Sequence, residues 1–142
     1  MEWQEVSGTL VRGSERVACL LRFATNSLSV VELRVGEKIE SRGEGQDLFE
    51  ALATVRRDLE RSGARLDCNG SRREVFPSVM LRQSSGGRFA YVLSMPRTAE
   101  RPPAVDILAP APDGADLVTV AEQQAYFNEW SGSPLVDDNG AA

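Results

Sequence analysis

Arginine is the residue type on which any chemistry in this sequence would turn. Four arginines, Arg72, Arg73, Arg82 and Arg88, fall in one stretch, ARLDCNGSRREVFPSVMLRQSSGGRFAYVL (64–93), together with Asn69 and Ser78. A guanidinium is a planar fork of donors that matches a carboxylate or a phosphate. If these side chains converge, they make an anion site, to which the backbone N–H groups of Asn69-Gly70-Ser71 would add a small nest. The alternative is a set of surface arginines paired with Asp67, Glu74 or the acidic C-terminal segment. Alternation along a strand would also send Arg82 and Arg88 to different faces.

Other chemistries are narrowed by composition. The chain has no histidine, which excludes Ser-His-Asp and Cys-His catalysis and removes the commonest ligand of catalytic zinc. The two cysteines, Cys19 and Cys68, sit among apolar residues on separate expected strands and read as free buried thiols. Two thiols without histidine do not build a metal site, and neither a cofactor nor a metal is expected. Glu37, Glu40, Glu44 and Asp47 cluster in a Gly-rich stretch without apolar surroundings to shift a carboxyl pKa, so they read as solvated. Ser84-Ser85-Gly86-Gly87 lacks the Lys-Ser/Thr and the helix that a P-loop requires. The Gly-x-Gly of GEGQDLFEAL does precede a helix, but Asp47 and Glu50 would repel an anion there. The expectation is a chain without catalytic residues.

Charge is unevenly distributed beneath a net of −5. Residues 1–55 carry 6 basic and 9 acidic side chains, residues 56–101 carry 10 arginines and 5 acids, and residues 102–142 carry 7 acids and no base. An acidic whole argues against nucleic-acid binding, which needs an extended basic surface. Segregated charge suits protein recognition and steering, and the acidic segment with Asp113, Asp116, Glu122 and Glu129 is the second candidate binding region. MEWQEVSG has neither a basic flank nor an apolar run, so no signal peptide is expected, and no window is apolar enough for a membrane span. A cytoplasmic protein is expected.

These residues must be positioned by a fold that the patterning describes in outline. Residues 3–12 and 15–24 are β-type runs joined at Gly13-Ser14 as a hairpin, and 28–35 is a third strand with Glu32 and Arg34 on a wet face. The segment 36–45, with three glycines and five charged residues, reads as a loop in which Ile39 extends a strand briefly. Gln46–Ser62 repeats Leu48, Phe49, Leu52, Val55 and Leu59 at helical spacing, which sends Arg56, Arg57, Glu60 and Arg61 outward. Arg65–Cys68 reads as a short strand, with a positive-φ turn at Asn69-Gly70. Val79-Met80-Leu81 reads as an irregular edge strand after Pro77, and SSGG as a loose hairpin into a strand over Phe89–Met95. Val105–Leu108 is a last strand. The box TVAE opens a helix through Trp130, with Val120, Gln124, Phe127 and Trp130 near one face and Tyr126 beside them. These aromatics anchor the helix or offer a face to a partner.

The expected architecture is α+β: an antiparallel sheet of five to seven strands, a central helix at about 46–62 and a C-terminal helix at about 120–130. Residues 1–131 form one domain, and 132–142 form a flexible tail. The segments CNGSRREVFPSVMLRQSSGGRFAYVL and TVAEQQAYFNEW resemble a pattern found in small uncharacterised actinobacterial proteins. That resemblance covers roughly the second half of the chain, implies a cytoplasmic single-domain protein, and carries no activity with it. The reading drawn from these features is a non-catalytic protein-binding domain, an inhibitor or immunity-type protein that neutralises a partner protein. The alternative is an accessory domain that binds a phosphate- or carboxylate-bearing ligand, such as a nucleotide, through the arginines.

Overall fold

A computed structural model describes residues 2–137. Its first half is an antiparallel meander: β1 (Gln4–Arg12), β2 (Glu15–Thr25), β3 (Ser29–Val35) and β4 (Lys38–Gly45), followed by helix α1 (Leu48–Glu60) and β5 (Ala64–Leu66). The five strands form one sheet in the order β4-β3-β2-β1-β5. Tight turns at Gly13 and Gly36, both with positive φ, set the register of the first and third hairpins. Leu21 and Phe23 of β2, with Val31 and Leu33 of β3, point to the face that α1 covers with Leu48, Leu52, Val55 and Leu59.

The stretch 36–45 is a strand rather than a loop. Its glycines are close-approach residues: a Cβ on Gly43 would lie 2.6 Å from the Ala51 carbonyl oxygen, and one on Gly45 2.6 Å from the Ala51 nitrogen. Glycine here lets the helix backbone rest directly on the strand. The wet face of β3 is also drier than its pattern implies, because Glu32 is only 3% exposed beneath the side chains of Arg22 and Arg34.

The second half contains a 3-10 turn (Asn69–Ser71), β6 (Val75–Phe76), α2 (Val79–Ser85), β7 (Phe89–Val92), β8 (Ala104–Asp106) and α3 (Val120–Gly132). The last three strands along the chain, β6, β7 and β8, make a separate small sheet, so the single sheet of five to seven strands is corrected to five plus three. The edge strand expected at 79–81 is the first turn of α2. Ser78 caps it by accepting the Leu81 N–H at 3.0 Å, and Gly86 closes it in the left-handed conformation. SSGG is therefore the last turn of a helix and its cap. The Asn69-Gly70 turn has no positive φ and is helical. Cys68 lies outside the strands, the 65–68, 89–95 and 105–108 runs are shorter or shifted, and α3 runs two residues past 130.

Helix α3 opens on the capping box of Thr119 and Glu122, as its sequence indicates. Phe127 stacks on Phe76 at 4.1 Å, while Tyr126 and Trp130 donate to the carbonyls of Leu93 and Ser94. Beyond the helix, Val136 N–H donates to the Arg97 carbonyl; residues 138–142 of the expected tail lie outside the described residues. No described helix is long and apolar enough to cross a membrane.

Candidate functional site

The four candidate arginines do not share a site, because each closes on a different carboxylate of its own chain. Arg72 bonds Glu74 at 3.0 Å and Asn69 Oδ1 at 3.1 Å. Arg73 reaches Asp116 at 2.8 Å and, more distantly, Glu122. Arg82 bonds Asp47 at 2.9 Å and lies against the rings of Phe49 and Phe76. Arg88 grips both oxygens of Asp106, at 2.7 and 2.8 Å, with its guanidinium 4.7 Å from the Phe23 ring centre.

Asn69 is buried and ties the 3-10 turn to β8 through the Asp106 carbonyl. The N–H groups of Asn69, Gly70 and Ser71 donate to the carbonyls of Ala109, Ile107 and Cys68, so the nest expected there is already filled. Of the acidic segment, Asp116 and Glu122 face Arg73, and Glu129 is exposed on α3. Asp113 is exposed and has no cation partner among the described residues.

Two buried polar residues were not legible as such. Arg56, read as outward, is 4% exposed and donates to the Gly70 carbonyl at 2.8 Å, the Val118 carbonyl at 3.0 Å and Gln123 Oε1 at 2.6 Å. Gln123, 1% exposed, donates through Nε2 to the carbonyls of Gly70, Arg72 and Val75, each at 2.9 Å. Burial draws the Arg56 pKa down to about 10, which still leaves it a cation at neutral pH. It is solvated by oxygen dipoles in place of water, and these oxygens are occupied, so the pair acts as an internal clamp. The thiols are equally inward-facing: burial, and then the neighbouring Cys68, push Cys19 up to about 11.

An open strand edge lies at the β1 end of the five-stranded sheet. β1 has nine residues and β5 only three, paired with Leu10, Val11 and Arg12. Asp67 N–H adds one bond to the Thr9 carbonyl, and the chain then turns away at Cys68 into the 3-10 turn. The lane beside Gln4–Gly8 is thereby vacated. Because the Thr9 carbonyl points away from β2, the alternation of an antiparallel strand turns the N–H and C=O of Ser7 and Glu5 to the same open side. No hydrogen bond from another described segment reaches them.

A groove of about 320 Å³ adjoins this edge, with Gly8, Leu21, Leu66 and Leu108 in its lining. It runs on into a second hollow of about 290 Å³ bordered by the 112–117 loop, and Arg16, Asp67 and Asp113 line both. Arg16 and Asp67 form an ion pair there. The only sequence cue was the length mismatch between a long first strand and a short strand after the helix. No family model and no curated protein matches the chain.

Proposed function

We propose that the chain is a non-catalytic protein-binding domain of the small inhibitor or immunity type. The observation that carries this reading is the open edge of β1 beside its groove. Backbone donors and acceptors left unpaired at a sheet edge are a template for another chain, and folded proteins ordinarily blunt such edges. The internal pairing of Arg72, Arg73, Arg82 and Arg88 supports the same reading over the anion-binding one, since a phosphate would have to displace a carboxylate at each. The segregated charge of the chain would steer the encounter.

Native mass spectrometry of the protein, isolated gently from its own cells at low salt, tests this. The expected result is a stoichiometric second protein. A bare chain carrying a small anionic adduct would overturn the reading in favour of a ligand-binding domain.

A further inference from the structure

We infer that the partner engages by adding an extended, basic segment to β1, in the lane that β5 leaves empty beside Gln4–Gly8. The inference rests on the protein-binding reading and names the site and the partner's chemistry. The two ends of the sheet are not equivalent. At the β4 end, α1 lies on Gly43 and Gly45, Thr54 Oγ1 donates to the Glu44 carbonyl at 3.3 Å, and the exposed residues Lys38, Arg42 and Glu44 guard the strand. Charged residues and a covering helix are ways of closing an edge. At the β1 end, the exposed residues Ser7 and Glu5 present backbone groups with no hydrogen-bond partner among the described residues. A segment entering that lane would continue the line of β5, so the register and spacing of its bonds are already set.

Charge selects the occupant. Of the charged side chains lining the groove, Arg16 is paired with Asp67, Asp113 has no cation partner among the described residues, and the 110–117 stretch contains Asp113 and Asp116 and no basic residue. Alternate side chains of an added strand point to opposite faces. One set would fall toward the groove and the other away from it, so lysines or arginines at every second position can reach Asp113. Main-chain bonds supply affinity and the acid supplies preference, so binding tolerates changes in the apolar positions.

The test uses the full chain and a synthetic peptide of alternating Lys and Val, followed by backbone amide NMR. Saturable shifts at Glu5–Thr9 and around Asp113 are expected. Ser7→Pro removes one outward N–H that has no partner among the described residues, and should weaken the peptide about tenfold, the worth of a lost main-chain bond and its desolvation. Asp113→Lys, at an exposed loop position, should weaken it as well and reverse the preference toward a Glu-Val peptide. This second variant keeps the test decisive if proline disturbs the strand. Absence of saturable shifts at β1 with millimolar peptide overturns the inference, as do shifts confined to another surface. So does a concentration-dependent dimer that Ser7→Pro abolishes, since the lane would then belong to a second copy. A co-purifying protein that stays bound to both variants overturns the edge site while leaving protein binding intact; if no protein co-purifies with the unmodified chain, it is the functional reading that fails.

Discussion

Between Gln4 and Leu66 the backbone is bonded chiefly through its own ladders and one helix, with the outer edge of β1 at Glu5 and Ser7 left open, whereas beyond Asp67 side chains take over much of that work. The first part has strands of seven to eleven residues in its four-stranded meander, packed on the apolar stripe of α1. The second has strands of two to four residues. Its carbonyls at Gly70, Arg72, Val75 and Val118 are met by Gln123 and Arg56, those at Leu93 and Ser94 by Tyr126 and Trp130, and that at Asp106 by Asn69. A region short of regular structure must bring polar side chains inside, because a buried carbonyl without a donor is costly. It also explains why so many of the conspicuous polar residues of 64–93 are structural.

That contrast is broken most severely at the clamp. Gln123→Leu fits the space but removes a donor from three carbonyls, of which Gly70 keeps Arg56 and Arg72 keeps the Val75 N–H, and it leaves Arg56 without one acceptor. A loss of about 3–5 kcal/mol is expected, measured by denaturant unfolding, with the second half loosening first in amide exchange. Gly45→Val attacks the first half by its own logic. The new side chain would strike the α1 backbone, and overpacking against an immovable element should cost about 3 kcal/mol, read as a lower midpoint without a change in the clamp's exchange protection.

Glu32 sharpens the comparison, since it is the first half's buried charge. Burial works to raise its pKa, but the hydrogen bond and charge of Arg34, and then Arg22, outweigh this and hold it below the ordinary 4.5. A depressed carboxyl pKa contributes stability that is fully present above the unfolded value and is lost as pH falls through the folded one. Glu32→Gln should therefore cost about 1 kcal/mol at neutral pH, and its deficit relative to the unmodified chain should shrink below pH 4.5. Unfolding midpoints across pH 2–7 check both. The smallest effect belongs to Arg73→Ala: its pairs with Asp116 and Glu122 are exposed and screened, so no measurable change in Tm is expected.

The sequence was most legible where one residue has one neighbour pattern to satisfy. The Gly13 turn, the alternation of β2 and β3, the stripe of α1 and the Thr119–Glu122 box are local, and each appears close to its expected place. Reading failed where a residue served something distant. Gly43 and Gly45 look like loop residues until a helix is laid on them. Val79 and Met80 look like strand residues because they are apolar, yet they face solvent on a helix begun by Ser78. Arg56 carries the charge of a surface residue but occupies the buried side of α1. For the candidate site, Arg72, Arg73, Arg82 and Arg88 were found as residues, and the alternative of pairing with Glu74 or the acidic C-terminal segment describes Arg72 and Arg73, but Asp47 as the partner of Arg82 was not foreseen.

By itself, then, the amino-acid sequence determined the first three strands of the meander, the two longer helices, the acidic C-terminal third and the lack of histidine chemistry, since these follow from periodicity, caps and composition. Only the tertiary structure decided that the arginines are spoken for, that Arg56 and Gln123 clamp the second half, and that β1 keeps an open edge. Each of those depends on which distant backbone atoms come within about 3 Å of a side chain or a strand, and chain order does not encode that distance locally.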